Sequence, residues 1–319
     1  MLRNLLLAGL VTVGALVVWP GQPSGRLVRI YGDLATADRV VVIVPGADTT
    51  VATFDDGTKR PGGAARALLA EAARLAPHER LAVVAWLGYA SPPTLSLSVI
   101  TSDAAVKGSR ALRRTVSELH ARTPAPIALL CHSYGSVLCA KAVPGLPVTD
   151  LAVFGSPGLD VPSAATLAQP SRNAAPAGAA ISAATADTTL GVKGGHDAQG
   201  ATCPLDTHGT TGAQDDQDTA DLLDSRRTAS EGGSQGGATG AAVVPLRIWA
   251  GLGENDWVRF VPKVKLGPAG FGADPMDPSF GARVFAVGSG GHSDYFTPGT
   301  PSLRNLALIA LGHEGEVTS

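Results

Sequence analysis

Cysteine is scarce in this chain of 319 residues: Cys131, Cys139 and Cys203 are all there is. Three cysteines exclude a disulfide-stapled scaffold, and no Cys-x-x-Cys pair or His/Cys cluster has zinc spacing, so no metal is expected. Cys131 and Cys139 lie close enough in sequence to pair in an oxidising compartment, but two small packed thiols are the favoured reading. Cys203 is left over either way. An excess of one charge is also lacking. With 25 Lys and Arg against 27 Asp and Glu, the net charge of −2 offers no basic footprint for nucleic acid or anionic lipid. No P-loop and no Gly-x-Gly-x-x-Gly follows a strand-like run, which argues against nucleotide chemistry, and no organic cofactor is called for. Aromatic residues make up only 5% of the chain, so composition gives no argument for an aromatic-lined cleft.

No aromatic occurs between Phe154 and Trp249. Residues 170–242 within that gap are small, polar and Gly-rich, a composition that cannot bury enough apolar surface to offset its ordering entropy. They read as a low-complexity insertion, a surface loop in preference to a lid over a site. At the start of the chain, Arg3 precedes an uncharged apolar run from Leu5 to Trp19. As a helix this run is about 22 Å long, short for a bilayer core. Residues 1–25 therefore read as a signal peptide, with a short uncleaved anchor as the rival because no Ala-x-Ala-like site follows Trp19. A buried element of the fold is the third alternative. Export is the expectation, with the protein secreted or held at the cell envelope, and membrane association through this segment.

Between these regions short apolar strands alternate with helices. Strands are expected at 27–31, 39–44, 81–86, 126–131, 150–155, 245–251 and 282–288. Helices are expected after Arg60, over 102–122 with Ser102 as N-cap, from the turn at Ser133 toward Ala142, and near the C-terminus. Strands without polar alternation, separated by helices, predict an α/β fold with a mostly parallel sheet covered on both faces. One domain is expected over 27–312, interrupted by the insertion.

Four stretches carry chemistry. "CHSYGS" places Ser133 between a strand and a helix, the setting of a nucleophile elbow, with Cys131 where a glycine is usual. The positions two before and two after the serine are expected to crowd each other, so both must be small. "VVIVPGADTT" ends a strand in Pro45-Gly46, where the backbone amide of Ala47, with that of Tyr134, forms a candidate oxyanion hole. "GLGENDWV" puts Asp256 after a strand, with Glu254 and Asp160 as competing acids. "GSGGHSDYF" puts His292 in a Gly-rich loop. Of the seven histidines it is the one placed to reach Ser133; His132 adjoins the serine but is expected to point elsewhere. The order Ser133, Asp256, His292 is that of α/β-hydrolase triads.

The chain resembles an α/β-hydrolase family of unknown function found mainly in high-GC Gram-positive bacteria. The stretches that carry the resemblance are "VVVIVPGADTT", "LLCHSYGSVLCA", "VFGSPGLDVPSAATL", "IWAGLGENDWVRFVP", "DPSFGARVFAVG" and "GHSDYFTPGT". It implies an eight-stranded core with Ser133 as nucleophile and His292 as base, and it makes Cys131 an ordinary feature of the elbow. The long segment before "PLRIWAG" departs from it. A serine hydrolase acting on a small or lipid-like ester is the expected function. Two alternatives are an acyltransferase on the same triad and a non-catalytic α/β-hydrolase-fold binding module.

Overall fold

The computed structural model describes residues 25–169 and 245–319. The expected segments at 1–25 and 170–242, with Cys203, lie outside the described residues, apart from Gly25. The elements run in the order β1 (Leu27–Tyr31), β2 (Arg39–Val44), α1 (Pro61–Leu75), β3 (Leu81–Leu87), α2 (Asp103–Arg122), β4 (Ile127–His132), α3 (Tyr134–Ala142), β5 (Asp150–Phe154), α4 (Ala164–Leu167), β6 (Arg247–Gly251), β7 (Arg283–Val284) and α5 (Pro301–Leu311). Among the described residues seven strands form one sheet in the order β1-β3-β2-β4-β5-β6-β7. Only β1 is antiparallel to its neighbour; the other pairs are parallel.

The apolar runs of β3 and β5 are buried along their whole length, and β2 and β4 at all but one end residue. That is what a sheet covered on both faces demands. From β2 the chain steps to β3, then returns past β2 to β4. Right-handed crossovers in opposite directions put α1 and α2 on opposite faces. Accordingly α1 packs with α5, and α2 with α3. The reversal leaves a crevice beyond the carboxyl ends of β2 and β4, where open α/β sheets bind their ligands. Pro45-Gly46-Ala47 and Ser133 both emerge there.

Several expectations are corrected. The described residues form seven strands, not eight: β1 is the edge, and nothing among them pairs with its far side. The strand expected over 282–288 shrinks to two residues. After Phe285 donates to the Ala250 carbonyl, the Ala286 amide turns to the Thr318 carbonyl, so the C-terminal segment takes the place of β6 as partner. Ser102 precedes α2 but does not cap it with its side chain. Its hydroxyl donates to Asp160 at 3.1 Å, while the Ala105 amide of the first turn donates to the Tyr134 hydroxyl at 3.1 Å. Finally, Cys131 and Cys139 are not two packed thiols but a disulfide. The tight turn after β4 folds α3 back along the strand and brings their Cα atoms to 6.5 Å, within bridging range. The sequence spacing alone does not disclose that angle.

Candidate active site

Ser133 sits in the turn between β4 and α3 at φ 52° and ψ −126°, a conformation that costs an L-residue on the order of 1–3 kcal/mol. The surroundings hold it there. Its amide donates to the Phe154 carbonyl at 2.9 Å, and its carbonyl accepts from the Ser136 hydroxyl at 2.6 Å. Two glycines make room. A Cβ at Gly135 would lie 2.5 Å from the Pro45 carbonyl oxygen, and one at Gly46 would lie 2.6 Å from the Ser133 Cβ. The crowding at the elbow is thus between α3 and the end of β2, not between positions 131 and 135. Cys131 turns instead toward Cys139.

The structure brings Ser133, His292 and Asp256 together. Asp256 follows β6 at the carboxyl edge, with no exposed surface. His292 Nδ1 lies 2.9 and 3.0 Å from the two carboxylate oxygens of Asp256. A carboxylate only accepts, so Nδ1 carries the proton and Nε2 is an acceptor. The Ser133 hydroxyl then donates to Nε2 across 2.9 Å. Burial pushes the Asp256 carboxyl up. The bonds from His292, Tyr295 and the Val258 amide outweigh that and hold it below the ordinary range, as an anion facing the imidazole. This arrangement is able to pass the serine proton to the imidazole as the hydroxyl attacks.

The competing acids stand elsewhere. Asp160 is paired with Lys141 at 2.6 Å and also with Lys265, beside α2. Glu254 is exposed and engages the site's loops only through its backbone, its amide donating to Gly288.

Ala47 and Tyr134 both line the cavity in front of Ser133, and neither backbone amide has an acceptor among the described residues. The loop that presents Ala47 is fixed by Tyr89, whose hydroxyl donates to the Pro45 carbonyl at 2.9 Å, and by Ser91, which donates to the Gly46 carbonyl at 2.8 Å. The cavity measures about 390 Å³ and also exposes His292 and Trp257. The Trp257 ring lies 4.8 Å from that of His292 and is half-exposed at the rim.

A family model described as alpha/beta hydrolase matches residues 21–180, half of the chain. The chain belongs to the alpha/beta hydrolase family. An uncharacterized protein of Mycobacterium tuberculosis is 33% identical over 143 residues, 43% of this chain and 53% of that protein. A second uncharacterized protein of the same organism is 29% identical over 150 residues, 43% of this chain and 22% of its own length. This alpha/beta hydrolase thus spans about half the length of the first curated relative and about a fifth of the second. Among solved structures, esterase PE8 aligns at a TM-score of 0.41 and 14% identity over 91% of this chain and 98% of its own. A serine hydrolase without lid from Xanthomonas campestris aligns at 0.40 and 11% over 95% and 99%.

Two further residues shape the site and carried no role in the sequence reading. His132 points away from the Ser133 hydroxyl, but its Nε2 lies 2.8 Å from the His292 carbonyl oxygen and its ring 4.7 Å from the His292 ring. Burial drives its pKa down to about 3, so it is a neutral donor. The Tyr295 hydroxyl donates to Asp256 Oδ2 at 2.5 Å and accepts from the Gly253 amide at 3.2 Å. Burial, then the bond and charge of Asp256, push its own ionisation far up. Tyr295 stands three residues after His292 in "GHSDYF", a spacing that could have prompted the question.

Proposed function

We propose that the protein is a serine hydrolase that cleaves carboxylic esters through an acyl-enzyme. The observation that carries this reading is the unbroken chain of hydrogen bonds from the Ser133 hydroxyl through His292 to buried Asp256, opening on a cavity. In the proposed first step His292 Nε2 takes the hydroxyl proton while Ser133 Oγ bonds to the ester carbonyl carbon. The resulting oxyanion accepts from the Ala47 and Tyr134 amides, each worth about 3–4 kcal/mol in such a site. As the carbon–oxygen bond to the alcohol breaks, His292 returns its proton to the leaving oxygen. A water molecule then repeats the sequence on the acyl-Ser133 ester, and the acid is released with the serine restored. Asp256 keeps the imidazole in the tautomer this needs and stabilises its charged form.

The site of action proposed is extracytoplasmic, secreted or anchored at the envelope. The apolar run before Trp19 and the buried Cys131–Cys139 disulfide support it, because disulfides persist in oxidising compartments. Among the described residues no helix is long and apolar enough to cross a membrane.

Reaction with a fluorophosphonate probe tests the catalytic reading. Wild type is expected to label on Ser133, and Ser133→Ala to fold without labelling. Folded wild type that does not label, or a variant that labels equally, overturns it.

A further inference from the structure

The cavity in front of Ser133 is lined by side chains of two kinds. Val99, Ile100, Val258, Val261 and Phe271 are apolar, and Lys59 and Arg60, immediately before α1, are cationic. A smaller cleft of about 20 Å³ shows what the cations adjoin: Lys59, Arg60, His132 and Ser293 line both spaces, whereas none of the five apolar residues lines the cleft. The cations therefore adjoin Ser293, next to His292 in sequence, and His132, whose ring packs on that of His292.

Neither Lys59 nor Arg60 makes an ion pair with a described residue. Arg60 is half-buried. One Nη donates to the Thr49 hydroxyl at 3.2 Å, and its buried Nε has no partner among the described residues. The Arg60 guanidinium thus stands at the cavity wall with one neutral hydrogen-bond partner among the described residues. Asp48, the one carboxylate lining this space among the described residues, is engaged by the Thr94 amide at 2.9 Å, which holds its pKa low; Arg60 adds a weaker electrostatic pull.

We infer that the ester has an apolar acyl half and an anionic alcohol half, with the anion, a carboxylate or a phosphate, held by Lys59 and Arg60. This rests on the hydrolase reading above. The anion is assigned to the alcohol half because His292 must protonate the departing alcohol oxygen and the cations share their cleft with its neighbours His132 and Ser293. The acyl half stays on Ser133, against the apolar side chains. The planar guanidinium of Arg60 suits either anion, and exposed Lys59 adds charge at the mouth.

The test compares three esters of hexanoic acid, with propanol, hydroxypropionate and hydroxypropyl phosphate as the alcohols, by chromatographic measurement of released hexanoate. Wild type at low salt is expected to show a kcat/KM about tenfold higher for an anionic ester than for the propyl ester. The carboxylate and phosphate arms identify which anion is preferred. In Lys59→Gln/Arg60→Gln that ratio is expected to fall to about one. Wild type that hydrolyses the propyl ester and favours neither anion overturns this inference and leaves the hydrolase reading standing. So does a double variant that still labels with the fluorophosphonate and keeps the preference. Should the variant not fold, wild type decides: a preference that declines with added salt supports the assignment, and one indifferent to salt overturns it. Wild type that neither labels nor hydrolyses any of the three overturns both readings.

Discussion

His132 donates from Nε2 to the backbone carbonyl of His292 at 2.8 Å, so the residue next to the serine in sequence holds the imidazole that faces the serine in space. Its ring also stacks against Phe154 at 5.5 Å and tilts against Tyr295 at 5.4 Å. Because its Nε2 bonds to the His292 backbone and not to the Ser133 hydroxyl or the His292 ring nitrogens, its role is positioning. His132→Ala is expected to lower kcat by roughly tenfold to a hundredfold, the cost of a small misplacement of the base, with KM changed much less. His132→Gln keeps a side-chain donor and should recover part of the loss. Equal kcat in wild type and His132→Ala, measured on a p-nitrophenyl ester, would remove the positioning role.

The same histidine makes an acid-stability prediction. Its folded pKa is depressed to about 3 from the ordinary 6.5. Above 6.5 both folded and unfolded chains hold it neutral, and it adds no pH dependence. As the pH falls below 6.5 the unfolded chain takes a proton that the folded one refuses, so stability declines steadily until about 3. Wild-type Tm should therefore fall over that window, and His132→Gln should fall less steeply, with the remaining slope set by carboxylates. Parallel Tm curves for the two proteins across that range would contradict the assignment.

Tyr295 serves Asp256 as His132 serves His292. In Tyr295→Phe the Asp256 carboxylate loses a donor at 2.5 Å and the Gly253 amide loses its acceptor. Leaving such groups unsatisfied costs about 1–3 kcal/mol. The pH profile separates a local from a merely structural effect. With one donor fewer, the Asp256 carboxyl rises toward its burial-favoured value, and the acid limb of kcat should move to higher pH. A variant that is less stable but has an unmoved pH profile would assign Tyr295 to packing alone.

Much of the framework was legible because burial on both faces leaves an unmistakable mark: "RVVVIV", "LAVVAW" and "DLAVFG" carry almost no polar residue to dilute the strand reading. The elbow, His292 and Asp256 were legible as residues at strand ends. What the pattern did not carry were facts of angle and partner. The disulfide depends on how steeply α3 folds back over β4. The shortness of β7 depends on Thr318 competing for its backbone. The placements of His132 and Tyr295 depend on rings meeting across loops far apart in the chain. Each is set by tertiary geometry, for which no residue periodicity stands as a proxy.

Asp256 and Asp160 were competing acids in sequence and occupy different chemistry in space, so their asparagine variants should diverge. Asp256→Asn removes the acceptor that fixes the His292 tautomer and is expected to lower kcat on the order of ten-thousandfold, with the fold retained. Asp160→Asn leaves Lys141 without its 2.6 Å partner in a half-buried setting and also frees Lys265. It is expected to lose roughly 2 kcal/mol of stability, discounted for solvent screening, with little change in kcat. Urea midpoints and single-substrate kinetics on both proteins make the comparison. Loss of turnover in Asp160→Asn with Asp256→Asn active would reverse the assignment.

The Cys131–Cys139 bridge closes a loop across the elbow, with a separation of eight residues. By chain-entropy reasoning a loop this short contributes roughly 2–3 kcal/mol. Cys131→Ala/Cys139→Ala should lower the urea midpoint accordingly, and wild type unfolded and refolded under reductant should match the variant. Activity should fall as well, because Cys131 lies two residues before a serine kept at φ 52° by its surroundings, and a looser β4–α3 junction lets that strain relax. Both cysteines are fully buried, so reductant should act on the native protein only as fast as it opens. A wild-type urea midpoint unchanged after refolding in reductant would show that packing alone, and not the bond, holds the turn.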